Sequence, residues 1–477
     1  MSVLVAILVG FIGLVFLYLR SSRRPKGSPP IANIGLPLIG NYIEFAKNPI
    51  VFIKNAYGKF GGAFTVPMLH KNLTFLVGPE ASAPFYQKDD EHMSQPEVYG
   101  FMTPVFGKGV VYDAEPKKRV KQMQRMASSL QSSRLKVYVP KIEKETLDYI
   151  ERWGETGTIN LLQALSELTI LSASRCLHGD EVREGMFEDV SRLFHDMDKA
   201  ITPLSFFFPY LPTAAHKKRD LARIELGNLF GKAIRMRREN GNDCSDNTDV
   251  LQVFMDLEYD DKSKLSEDEI AGLLIALLFA GQHTSSITST WTMFFLLHNP
   301  RCMDIVMKEQ ASVLQSSDAP IDFDNVGKME YLQNCVKEVL RMHPPLIMLM
   351  RMAMQDVKTT YGGKEYTIPK GDIVFTSPAA SGRIGSVFKN PDSFEPERFG
   401  PERNEQKTRF AYTGFGGGVH ACMGQQFGLL QVKTIVSILL RNYTFEPVDK
   451  VMPEPDYTAM VVGPMNHLMV NYKKIKR

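Results

Sequence analysis

The sequence has few cysteines for its length. Five occur in 477 residues, Cys176, Cys244, Cys302, Cys335 and Cys422, odd in number, widely spaced and without a CxxC pair. That argues against a disulfide scaffold and a zinc ribbon and for a reducing compartment. An excess of charge is also missing: 56 Lys+Arg against 53 Asp+Glu leave +3, too balanced for a dedicated nucleic-acid binder. There is no internal repeat, no low-complexity tract and no GxGxxG loop behind a strand, so no nucleotide or flavin region is built in. Hydrophobic residues at 44% and charged residues at 23% exclude disorder and coiled coil as the main architecture. The 24 Met and 29 Phe are plentiful; such residues fill cores or line a large apolar pocket.

One long apolar run is present, residues 3–19. At about 1.5 Å per residue it spans roughly 26 Å, close to a thin bilayer core. Arg20, Arg23, Arg24 and Lys26 follow and no charge precedes it, which places the rest of the chain in the cytoplasm. A cleaved signal peptide wants a basic start and a small-residue cleavage site, and neither is clear. Residues 1–24 are therefore read as a transmembrane anchor with its basic flank. Residues 25–40, rich in Pro and Gly, are read as a stiff hinge, and residues 41–477 as one large domain. The polar stretch 240–248 reads as a surface loop. Helical patterns dominate from about 115 to 350, with short strands at 64–66, 74–77, 366–368 and 373–376. The expected fold class is mainly α with small β-sheets.

Two segments stand out. Ser266 and Glu269 have capping-box spacing, and residues 270–280 are then apolar without interruption. That is too short to span a membrane and fits a helix buried on all sides. Gly281-Gln282-His283-Thr284-Ser285-Ser286 follows. Either the hydroxyls bond back to the preceding turn, or the helix opens there to hold water or a ligand. The second segment is Phe415-Gly416-Gly417-Gly418-Val419-His420-Ala421-Cys422-Met423-Gly424. It puts Cys422 just before or at a helix start, where partial positive charge and unpaired N–H groups favour a thiolate. Three glycines let the backbone approach something flat without Cβ clashes.

Phe415-x-x-Gly418-x-x-x-Cys422-x-Gly424 resembles the haem-binding signature of the cytochrome P-450 monooxygenases. Ala280-Gly281-x-x-Thr284 resembles the family's oxygen-activating motif, Glu338-x-x-Arg341 its ExxR pair, and Pro396-Glu397-Arg398-Phe399 the segment whose arginine joins that pair. The resemblance implies the cytochrome P-450 fold. Gly281-Gln282-His283-Thr284-Ser285-Ser286 and the stretch Tyr99-Gly100-Phe101-Met102-Thr103-Pro104-Val105-Phe106-Gly107-Lys108-Gly109-Val110-Val111-Tyr112-Asp113 are similar to two signatures of the sterol 14α-demethylase subfamily.

The resemblance implies these roles. Cys422 is the axial ligand of haem b iron, within a loop that includes Phe415 and Gly418. Tyr99, Tyr112, Arg351 and His420 serve the haem propionates. A further propionate-binding base is usual after Tyr112, but Val120 and Met123 stand at the matching positions, among Lys117, Lys118, Arg119, Lys121 and Arg125. Thr284 is a hydroxyl relay and His283 a proton carrier paired with Asp198. Glu338, Arg341 and Arg398 are architectural. Phe101, Met102, Phe106, Ala280, Leu346, Met348, Met350, Met460 and Val461 line a sterol pocket, and Phe101 goes with substrates bearing one methyl at carbon 4. The implied reaction is removal of the 14α-methyl in three oxidations. Electrons come from NADPH through the flavins of a cytochrome P-450 reductase on the same face of the endoplasmic reticulum membrane, and the basic cluster 117–125 either docks that acidic partner or is a solvated helix face. The alternatives are a fatty-acid or xenobiotic hydroxylase of the same family and a non-catalytic haem sensor.

Overall fold

Ser266 opens the longest described helix, Glu267–His298. Its hydroxyl accepts from Glu269 N at 3.2 Å, and its own N–H donates to Glu269 Oε2 at 2.8 Å, the reciprocal cap expected of that spacing. The helix does not break at Gly281. It runs on for 32 residues, about 48 Å. Among the described residues it is the one helix long and apolar enough to cross a membrane, yet residues 270–278 and 285–296 are buried within the protein. This computed structural model describes residues 24–32, 40–68, 71–201, 205–206, 208–239, 249–316 and 319–476. The apolar run 3–19 with Arg20 and Arg23, the hinge residues 33–39 and the polar stretch 240–248 lie outside the described residues.

The chain is mainly helical with small sheets and contains two compact units interleaved along the sequence. One comprises Met1–Val98, Leu340–Cys422 and Tyr457–Val462. Its five-stranded sheet runs Ala63–Met68, Lys71–Leu76, Ile373–Thr376, Leu349–Ala353, Met93–Ser94 in spatial order. Neighbours are antiparallel except Lys71–Leu76 with Ile373–Thr376, which is parallel. Phe75 stacks between Phe64 (5.3 Å) and Phe375 (5.1 Å) across three strands. Part of the segment read as a hinge is bonded to this unit. Thr65 N donates to Pro30 O and Ala32 N to Thr65 O, both at 2.8 Å, and Thr367 N donates to Gly27 O at 2.9 Å. Arg24, read as membrane flank, is buried against Asp372, with nitrogen–oxygen distances of 2.7 and 2.5 Å.

Two arginines organise the same unit's 382–405 meander. Arg341 donates to Gly382 O (2.6 Å), Pro391 O (2.7 Å) and Ser393 O (3.3 Å). Arg398, fully buried, donates to Lys389 O (2.8 Å), Asn390 O (3.3 Å), Glu405 Oε2 (2.6 Å) and the same Ser393 O (3.3 Å). Glu338 and Arg341, three apart on helix Glu330–Met342, are both buried, so a solvated surface pair does not describe them.

The other unit comprises Tyr99–Val339, Met423–Asp456 and Gly463–Arg477. The long helix packs against Leu161–Ala173, Ala214–Glu239 and Gln425–Asn442. A three-stranded antiparallel sheet, Thr156–Asn160, Met469–Lys474, Tyr443–Pro447, belongs to the same unit. Gly272 permits one close approach: a Cβ there would lie 2.1 Å from Phe106 O, so the short helix Thr103–Phe106 rests directly on the long one.

Two expectations follow. Removing the Arg398 guanidinium (Arg398→Leu) takes a buried partner from the Glu405 carboxylate, which Arg403 still holds, and from three carbonyls, and costs about 3 kcal/mol; urea unfolding of the purified protein measures it, and wild-type stability in the variant contradicts the assignment. Burial holds His178 down at about 4 and His343 down at about 3. Unfolded histidine titrates near ~6.5, so below that pH the unfolded chain binds protons the folded one refuses. Stability falls as pH drops from about 6.5 towards 4, by ~1.4 kcal/mol per pH unit per histidine. A urea midpoint unchanged between those limits contradicts this.

Candidate functional site

The Cys422 loop is closed by its own backbone. Gly416 N donates to Thr413 O at 2.9 Å, Ala421 N to Gly418 O at 3.2 Å, and Cys422 N to Phe415 O at 2.9 Å. Gly416 and Gly418 have φ of +69° and +64°, where glycine alone is unstrained. At Gly418 there is a second demand, because a Cβ would sit 1.8 Å from Tyr86 O. The loop therefore lies on the helix Ala83–Gln87, whose Tyr86 stacks on Phe410 at 4.9 Å. Burial pushes the Tyr86 phenol above its ordinary value. Cys422 is exposed, whereas Cys176, Cys302 and Cys335 are buried. Helix Gln425–Asn442 starts three residues later, as the spacing predicts.

Two nitrogen-bearing side chains, Arg351 and His420, belong to the same unit. Arg351 on strand Leu349–Ala353 is buried, lies over the Phe85 ring at 4.8 Å and donates to Met350 O at 2.6 Å. His420 Nε2 is 3.3 Å from Asp90 Oδ1. The N–H is not aimed at that oxygen, so this is a close contact and not an aligned hydrogen bond. Asp90 was not foreseen; within Asp89-Asp90-Glu91 it reads as a solvated acid. Leu346 and Met460 are exposed apolar side chains, on segments joined by Val462 N donating to Pro345 O at 2.8 Å. Met348 packs on the cluster of Ile50, Ile347, Ala379 and Val462.

In the helical unit the long helix opens over a short window. Ala280 is exposed and residues 279 and 281–284 are partly so, between buried stretches on either side. A Cβ on Gly281 would meet nothing within 4 Å. The back-bonding reading holds. Thr284 Oγ1 donates to Ala280 O at 2.6 Å, and Thr288, Thr290 and Thr292 repeat that back-bond at 2.6–2.7 Å. With its proton on the backbone, Thr284 can only accept from a group in the opening. His283 Nε2 lies 3.2 Å from Asp198 Oδ1 on helix Phe187–Lys199, again without donor alignment.

Aromatic rings wall this opening. Phe279 meets Phe194 at 4.4 Å and Phe106 at 6.0 Å, and Phe194 lies 6.0 Å from the His283 ring. Tyr112 is 6.1 Å from Phe106 and stacks on Tyr99 at 5.2 Å. Phe101 meets Phe206 edge-on at 5.3 Å. Phe101, Met102 and Phe106 are buried. Phe194, Phe206 and Phe279 were not anticipated, because a phenylalanine on an apolar helix face looks like core. A separate groove of about 470 Å³ is lined by Arg223, Arg235, Glu267 and Asp268 among others and holds none of these aromatics. Of the basic cluster, Lys121 pairs with Asp260 at 2.8 Å and Lys118 lies over Tyr259 at 5.0 Å, while Lys117 and Arg125 are exposed.

The cytochrome P-450 family profile matches residues 29–471. The fold is shared with a retinoic acid-bound cyanobacterial cytochrome P-450 at TM-score 0.81 and 23% identity, over 95% of this chain and all of that one. The chain belongs to the cytochrome P-450 family, whose haem iron is held by a cysteine thiolate. Within the family it groups with the sterol 14-demethylases. It is 46% identical to the obtusifoliol 14-alpha demethylase of Sorghum bicolor and 45% to the sterol 14-demethylase of Arabidopsis thaliana, over 97% of this chain and 94% of each. Identity to the lanosterol 14-alpha demethylase of Bos taurus is 39%, over 94% and 88%.

The residues fit such a group. One unit offers an exposed thiol on a loop whose glycines leave no Cβ in the way, with a guanidinium and an imidazole for anionic propionates. The other offers two stacked phenols. Gly418→Ala tests the cradle: the variant should yield little or no haem-loaded protein, read as the reduced-plus-CO Soret band per milligram, and a full yield contradicts it.

Proposed function

We propose that this chain removes the 14α-methyl group of a sterol precursor. The observation that carries the reading is the His283–Asp198 pair at 3.2 Å beside an exposed Ala280 in an otherwise buried helix, in a chain so similar to sterol 14-demethylases. Cys422 would hold the haem iron. Arg351, His420, Tyr99 and Tyr112 would bind its propionates, and Asp90 would orient His420. Dioxygen activation is the chemistry a thiolate-held haem supplies when bound.

The chain's own residues handle substrate and protons. Phe101, Met102, Phe106 and Ala280, with Leu346, Met350, Met460 and Val461, exclude water from the steroid rings. Met348, packed on a core cluster, contributes less. His283 supplies an imidazole that can take and give a proton. Asp198 beside it would hold the ring, and Thr284 would accept a proton-bearing water at its oxygen. The methyl carbon becomes alcohol, then aldehyde, and leaves as formate with a new ring double bond. Each oxidation uses dioxygen and two electrons, delivered from NADPH by a flavin-containing reductase. The exposed Lys117 and Arg125 would help to dock an acidic partner. Residues 3–19 would anchor the chain in the endoplasmic reticulum membrane as a single span, with residues 41–477 forming the cytoplasmic catalytic domain.

Reconstitution with the reductase and a sterol panel tests this reading. Formate release from obtusifoliol should exceed that from lanosterol, because Phe101 with Phe206 at its edge fills the space a second methyl at carbon 4 needs. Faster lanosterol conversion overturns the preference, and no formate from any 14α-methyl sterol overturns the function. His283→Ala and Asp198→Asn should each lower turnover by about 10²-fold while the sterol-induced Soret shift titrates as in wild type. Full turnover in His283→Ala removes the relay.

A further inference from the structure

The loop that leads into Tyr112 is held in a strained shape. Along Gly107-Lys108-Gly109-Val110-Val111 every second residue has a positive φ: +105° at Gly107, +74° at Gly109 and +50° at Val111. Glycine accepts the first two without strain. Valine does not accept the third, because its branched side chain crowds the backbone there. A residue in that state persists only where its surroundings impose it, and such residues gather at functional sites.

What imposes it is Gln122, fully buried on the helix Pro116–Ser128. Gln122 Oε1 accepts from Val111 N at 3.1 Å, and Nε2 donates to Gly109 O at 2.9 Å and to Tyr259 Oη at 3.0 Å. Val111 N can only donate and Gly109 O can only accept, so the amide has one orientation. It ties both ends of the bend, and Tyr259 ties the amide. Gly109 N donating to Asp113 Oδ2 at 2.8 Å and Asp113 N donating to Val110 O at 3.0 Å close the loop beyond Tyr112. The Tyr112 ring then stacks on Tyr99 at 5.2 Å and meets Phe106 at 6.1 Å. On the same helix Val120 is exposed and Met123 half-buried, and neither can bind an anion. The helix thus contributes at Gln122 an amide that shapes the loop. We infer that Gln122 is a positioning residue: by holding Val111 left-handed it aims the Tyr112 phenol at a haem propionate. The inference rests on the reading of Tyr112 as a propionate partner.

The test is the rate at which the full-length haem-loaded protein loses haem to excess apomyoglobin, measured in a double-mutant cycle. Tyr112→Phe removes the phenol and should speed haem loss roughly tenfold. Gln122→Met keeps the bulk, releases Val111 and should also speed it roughly tenfold. The double variant Gln122→Met/Tyr112→Phe should lose haem no faster than Tyr112→Phe alone, because Gln122 acts through that phenol. Tyr259→Phe, a milder change that frees one side of the amide, runs the same cycle if Gln122→Met does not fold. It should speed haem loss about threefold with Tyr112 present and not at all with Phe at that position. A loosened structure would speed haem loss equally in both backgrounds, and that outcome overturns the inference. Fast loss in Tyr112→Phe with wild-type loss in both the Gln122 and Tyr259 variants overturns the inference and leaves the propionate reading standing. Wild-type loss in Tyr112→Phe overturns the propionate reading and the inference with it.

Discussion

A long helix sealed inside a protein has no water for its hydroxyls, and that constraint shapes the helix Glu267–His298. Its threonines solve the problem by bonding to their own backbone four residues back. The helix can then carry polar side chains through the core without breaking. Opening it at Ala280 needs only the withdrawal of neighbours from one turn, and the aromatic walls from Phe106, Phe194 and Phe279 define how far that withdrawal goes.

The sheet-bearing unit meets its constraints by a different route. Much of the 382–405 meander lacks regular partners, and two buried guanidinium groups gather its carbonyls instead. Arginine suits this because its donors lie in one rigid plane. The Cys422 loop needs the opposite quality, an absence of side chain where Gly418 meets Tyr86 O. Rigidity from the arginines and bare backbone at the glycines together present the sulfur at a surface.

Legibility followed how local each signal was. The cap at Ser266, the buried helix after it, the helix start behind Cys422 and the strand Ile373–Thr376 were readable because each is decided within a few residues. The strand Leu349–Ala353 was not: methionine and leucine have no strand preference, and sheet pairing with Ile373–Thr376 imposes the extended form. Tyr443–Pro447 and Met469–Lys474 were also missed; Tyr443, Thr444 and Phe445 favour strands, but each segment is short and its partner is distant in the sequence. At the site, His283 and Asp198 were paired through resemblance to the family, and their 3.2 Å separation agrees. Asp90 beside His420 escaped, since nothing local distinguishes it from the two acids next to it. Arg24 was taken for membrane flank because charge next to an apolar run carries that meaning by default; its partner Asp372 is 348 positions away.

That distant pairing also sets a limit on how far the amino terminus can be trimmed. A version lacking residues 1–23 keeps the guanidinium that neutralises Asp372, and with it the join between the strands bearing Thr65 and Thr74. Removing one residue more strands a carboxylate in the protein interior, so solubility gained by shortening would come with a loosened sheet edge.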